Sequence, residues 1–122
     1  MSNKFIKAAR QEMQADFDGL EQVLSSCKND EHVFKNSQRI EGHFHKIRGL
    51  APMMGQDKIG KIAKTIDIVL KYIMGNGRQD GSYLIIVEAK NKMIHLLNNQ
   101  NSDDIDSFID MIQDSFPNIV DW

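Results

Sequence analysis

The stretch His43-Phe44-His45-Lys46-Ile47-Arg48-Gly49-Leu50-Ala51-Pro52-Met53-Met54-Gly55 sets both the architecture of this chain and its chemistry. Phe44, Ile47, Ala51 and Met54 recur in steps of three and four, which is one face of an amphipathic α-helix. The same line runs back through Ile40, Ser37 and Val33, so the spacing predicts one helix over about 31–54. Gly55 then suits a left-handed helix end, and Asp57 the N-cap of the next helix.

Outward from this helix the 3.6-residue period persists. Ile6, Ala9, Met13, Phe17, Leu20, Leu24 and Cys27 mark a helix over about 3–27, with Gly19 inside it at a cost of roughly 1 kcal/mol. Lys28 to Asp30 reads as a turn, with Asp30 as N-cap. Ile59, Ile62, Ala63, Ile66, Val69, Leu70 and Ile73 predict a helix over about 58–74. Gly75 to Gly81 is a loop; Asn76-Gly77 would suit a hairpin turn, but a helical flank rejects that. The apolar run Tyr83 to Val87 resembles a buried strand, yet Ala89, Met93, Leu96 and Leu97 continue Ile86 at helical spacing, giving a helix over about 82–99. Ser102 as N-cap, with Asp103 and Asp104 in the first turn, opens a fifth helix over about 102–116, closed by Pro117. The expected fold is all-α: an antiparallel four-helix bundle with a fifth short C-terminal helix, one domain over 1–122.

Composition agrees with a packed core. The chain has 122 residues, 41% of them hydrophobic and 26% charged, enough for one core without staples. A net charge of −2 argues against binding nucleic acid. A single cysteine, Cys27, excludes a disulfide within the chain and a thiolate metal cluster, and points to a cytoplasmic setting. Residues 1–17 lack the pattern of a signal peptide, and no apolar run reaches membrane-spanning length.

At about 100° per residue, His45 lies roughly 140° from the centre of the apolar stripe, towards solvent. His43 is about 200° further round, at the edge of the core. Two histidines at this spacing cannot chelate one metal, and His32 and His95 do not complete a ligand set, so no metal is expected. Gly42 and Gly49 flank His45 on its own face, each costing roughly 1 kcal/mol in helix propensity. Their gain is room: another protein's backbone can approach the imidazole closely. Pro52 predicts a kink or early fraying two turns beyond His45. Lys46, Arg48, Lys58, Lys61, Lys64 and Lys71 form a basic tract around the histidine, whereas Asp103, Asp104, Asp106, Asp110, Asp114 and Asp121 make the C-terminal part acidic. Such a basic face suits an acidic pocket or a phosphoryl group.

The run from His45 to Gly55 resembles the phosphoacceptor helix of histidine-containing phosphotransfer (HPt) domains, most closely those of the CheA branch of chemotaxis kinases. His45, Arg48, Gly49 and Gly55 take the places of that family's histidine, lysine and two glycines. Met53-Met54 and the fifth helix are features of the CheA type. Three positions depart from the family: Arg48 replaces a lysine, Asp67 a glutamate and Lys64 a second histidine. The resemblance implies that His45 accepts a phosphoryl group, that Asp67 orients its imidazole, and that Arg48 and Lys64 balance phosphoryl charge. Gly42, Lys46 and Gly49 would form the docking surface.

The implied partners are a histidine kinase catalytic domain, which binds ATP and magnesium, and a response-regulator receiver domain, whose aspartate takes the phosphoryl group onward. The domain would be monomeric, without a cofactor and away from membranes. It would be a phosphoryl carrier rather than an enzyme on its own. No nucleotide site is expected, with no Gly-x-x-x-x-Gly-Lys loop and no acidic cluster around His45. A helical adaptor that docks the same partners without being phosphorylated is the alternative reading.

Overall fold

The computed structural model describes residues 3–99 and 104–122. These contain six helices and no strand: α1 (Asn3–Ser25), α2 (Asp30–Lys35), α3 (Ser37–Met53), α4 (Asp57–Asn76), α5 (Ser82–Asn98) and α6 (Asp106–Ser115). The apolar run Tyr83 to Val87 is helical, as the wider period required. Helix α1 packs on α3, α3 on α4, α4 on α5, and α5 back on α1; α2 rests on α3 and α5, and α6 on α4. Met13, Phe17, Leu20, Ile40, Phe44, Ile47, Ile62, Ile66, Leu70, Ile86 and Met93 meet in one contiguous core. Among the described residues, no helix is long and apolar enough to cross a membrane.

The helix expected over 31–54 is broken at Asn36 into α2 and α3. The cause is local. Asn36 Nδ2 donates to the His32 carbonyl at 2.8 Å, and Ser37 Oγ donates to the Phe34 carbonyl at 2.8 Å. Two successive polar side chains thus compete with the main chain for carbonyls of the preceding turn. The apolar line survives the break, since Val33, Ile40, Phe44, Ile47 and Ala51 are all fully buried.

Capping differs from expectation at Asp30 and at Asp57. The N-cap of α2 is Asn29, whose side chain accepts from the His32 N–H at 2.9 Å. Asp30 instead reaches across to α5, accepting from the backbone N–H groups of Gly81 at 2.9 Å and Tyr83 at 2.8 Å. It supplies from another part of the chain the cap that α5 lacks locally. Asp30→Ala should therefore lower stability by about 1–2 kcal/mol, read as an earlier urea midpoint. Asp57 lies in the first turn of α4, with Gln56 at the cap position. The expected start at Ser102 and Asp103 lies outside the described residues; α6 begins at Asp106, whose N–H donates to Asp104 Oδ1 at 2.9 Å.

Gly55 has φ +72°, and the N–H groups of Gly55 and Gln56 return to the carbonyls of Pro52 at 3.0 Å and Ala51 at 2.8 Å. This double bond pattern ends α3 tightly. Pro52 falls in the last turn, where its ring seats on α4. A β-carbon on Gly60 would stand 3.1 Å from Pro52 Cγ, so Gly60 is what allows the two helices to close there. The expected fraying is absent, because the proline is clamped between the cap and the next helix.

Candidate functional site

The Pro52–Gly60 contact sets the register for everything above it. Two helical turns back along α3 from Pro52 is His45, and two turns forward along α4 from Gly60 is Asp67. The two helices run back along each other, so equal steps in opposite sequence directions arrive at the same level.

At that level His45 Nδ1 lies 3.1 Å from Asp67 Oδ2. An ionised carboxylate offers no donor, so the proton of the neutral ring sits on Nδ1 and the lone pair on Nε2. The His45 side chain is 60% exposed, whereas that of Asp67 is fully buried. The Asp67 side chain is completely covered where α4 packs on α3. A β-carbon at Gly42 or Gly49 would meet nothing within 4 Å, so packing inside the protein does not require glycine at either place.

Asp67 Oδ2 is a point of convergence. Arg48 Nη1 donates to it at 3.1 Å and Lys71 Nζ at 3.0 Å, in addition to His45. Lys71 also lies 3.8 Å from Glu41 Oε2, and Glu41 Oε2 lies 3.6 Å from His45 Nδ1. Asp67 Oδ1 is buried with no hydrogen-bond partner among the described residues.

These contacts pull the two carboxyls in opposite directions. Burial raises Asp67, but its closeness to Glu41 and the hydrogen bonds from His45, Lys71 and Arg48 outweigh it and hold the carboxyl below its ordinary 3.8. Glu41 is raised above its ordinary 4.5, chiefly by the closeness of the Asp67 carboxyl, then by burial and by the Asp67 charge. For Asp67 the folded value is the lower one, so its contribution to stability is complete above the unfolded value and disappears as pH falls through the folded value. Acid unfolding should therefore steepen below the ordinary aspartate value in the wild type and flatten in Asp67→Asn, measured by thermal unfolding across the acid range. Glu41 acts with the opposite sign: its contribution is present at low pH and fades as pH rises through its raised value.

The other residues singled out in the sequence are distributed as follows. Lys64 is exposed on α4 and forms no ion pair with the described residues. Lys46 is exposed, with Nζ 3.9 Å from Asp16 Oδ1. Lys61 donates to Asp106 Oδ1 at 3.0 Å, tying α4 to the acidic C-terminal part, so the basic tract is partly neutralised within the chain. His43 sits at the core edge: its Nδ1 is 3.0 Å from Asp16 Oδ1, and its ring covers Gly19, where a β-carbon would collide with it. That contact explains the glycine in the middle of α1.

Sequence reasoning leaves Glu41 out of the site and places Lys71 only in the basic tract, although the signal for both is present. Glu41 precedes His45 by four residues and Lys71 follows Asp67 by four, each the spacing of one helix face. The expectation that no acidic cluster surrounds His45 is corrected. One ligating atom each from Glu41, His45 and Asp67 lie within 4.8 Å of one another, a spacing a divalent ion can span. Arg48 and Lys71 already share Asp67 Oδ2, and their charges oppose a cation there. No family model, curated protein or solved structure matches this chain.

Proposed function

We propose that this chain is a histidine phosphotransfer domain that carries a phosphoryl group on His45. The observation that supports it best is an exposed imidazole whose Nδ1 is held 3.1 Å from a fully buried carboxylate, leaving Nε2 towards solvent. In this reading α1, α3, α4 and α5 are the antiparallel four-helix bundle and α6 is its short fifth helix.

The chemistry follows from the ring's electronic state. The Nε2 lone pair attacks the γ-phosphorus of ATP held by a separate kinase domain; the N–P bond forms as the bond to the ADP oxygen breaks. Positive charge that develops on the ring is balanced by Asp67 through the Nδ1 proton. A receiver-domain aspartate then attacks the same phosphorus, and cleavage of the N–P bond returns a neutral imidazole. Lys64, exposed on α4 one turn before Asp67, offers a cation to the phosphoryl oxygens. Arg48 contributes differently from a free phosphoryl cation, because its Nη1 is engaged by Asp67. Gly42, Gly49 and Lys46 form the surface on which both partners dock. The domain carries the group and leaves ATP binding to its partner, in the cytoplasm of a cell with two-component or chemotaxis signalling. Labelling with ATP and a CheA-type kinase tests the reading, with His45→Gln and His43→Gln as the deciding pair.

A further inference from the structure

Glu41 has no part in the transfer chemistry, yet it lies as deep in the site as any group except Asp67. Its side chain is only 16% exposed, one turn before His45 on α3. Its neighbours within ion-pair distance are His45 on its own helix and Lys71 on α4, and one of its carboxyl oxygens lies within 4.8 Å of a carboxyl oxygen of Asp67. Asp67 is crowded on one oxygen and empty on the other: Oδ2 takes three donors, whereas the buried Oδ1 takes none. A buried acceptor with no donor is rare in folded proteins and asks for an explanation.

We infer that Glu41 holds a proton in the resting protein and donates it to Asp67, so that the two carboxyls share a single negative charge and Glu41 is a positioning residue for His45. The donated hydrogen bond gives Oδ1 the partner it lacks. It also leaves the His45 Nδ1–H one ionised acceptor, Asp67 Oδ2, instead of two carboxylates competing for the same proton. Charge balance changes as well. With Glu41 neutral, Asp67 stands against Arg48 and Lys71, so the site carries one surplus positive charge beside the imidazole, which suits an incoming phosphoryl dianion. The raised Glu41 and lowered Asp67 carboxyls are what such a shared proton produces. The benefit to phosphoryl transfer rests on the reading proposed above; the shared proton does not.

The test is a carboxyl-carbon NMR titration of the full chain from acid to neutral pH, with exchange of the His45 Nδ1 proton followed in parallel. In the wild type, Glu41 should titrate above the ordinary glutamate range and shift down in Asp67→Asn. Glu41→Gln, whose amide donates without titrating, should keep the slow Nδ1 proton exchange; Glu41→Ala should speed it several-fold. Three results would overturn the inference. They are an ordinary Glu41 titration in the wild type, a Gln variant that behaves as the Ala variant does, and stoichiometric Mn²⁺ binding that Glu41→Gln abolishes. No kinase is involved, so the two readings fail separately. A raised Glu41 in a protein that takes no label at His45 removes phosphotransfer and keeps the pair; a labelled protein with an ordinary Glu41 does the reverse.

Discussion

His45→Gln should abolish phosphorylation by a CheA-type kinase, and His43→Gln should retain it. The label expected is stable in base and lost in acid, as befits an N–P bond. Glutamine keeps a polar side chain at an exposed position, so the first variant should fold as the wild type does, confirmed by circular dichroism. The two histidines are only two residues apart and each faces a carboxylate through Nδ1, at 3.1 Å for His45 and 3.0 Å for His43. What separates them is the other side of the ring. That of His45 is open to solvent, with 60% of the side chain exposed, whereas the His43 ring lies over Gly19 of α1 with 26% exposed. His43→Gln weakens the tie to the buried Asp16, at a stability cost of about 1–3 kcal/mol, which the labelling assay tolerates as long as the protein stays folded. Equal loss of label in both variants, or no label with any kinase tried, would leave the adaptor reading in its place.

Asp67→Asn should slow phosphorylation on the order of 10²-fold or more, with a smaller effect on folding. The amide can turn its nitrogen towards His45, which stabilises the tautomer with the proton on Nε2 and removes the nucleophile. It also removes the charge that balances the ring as the N–P bond forms. The structural penalty is modest by comparison. Arg48 and Lys71 lose their shared partner, but their side chains are 38% and 49% exposed and can turn to water. Removing one partner of a fully buried pair costs about 3–5 kcal/mol, and exposure of both cations places this case below that range. Single-turnover labelling rates and urea midpoints measured on the same preparation separate the two effects. Labelling at the wild-type rate would remove Asp67 from the mechanism.

The positions that sequence reasoning located well are those fixed by one helix alone. The apolar line through Ile40, Phe44 and Ile47 determines which way His45 points, and the exposed imidazole sits where that line directs it. Gly55 ends α3 in the left-handed conformation its spacing required. The misplaced features belong to competition within a turn, where an Asn36 or Ser37 side chain can take a carbonyl from the main chain without disturbing the apolar period. Asp30 illustrates a different limit. Its residue type announces a cap, but its acceptors serve α5, about 50 residues further on.

The sequence by itself determined the helical periods, the outward face of His45, the core-edge place of His43 and the presence of room at Gly42 and Gly49, because each follows from a 3.6-residue period and from side-chain size. Only the tertiary structure decided the electrostatics of the site. The seating of Pro52 on Gly60 sets the level at which α3 and α4 meet, and that level brings Glu41, His45 and Arg48 against Asp67 and Lys71. Periodicity places a residue around its own axis; only the register between two axes decides which charges share a buried carboxylate.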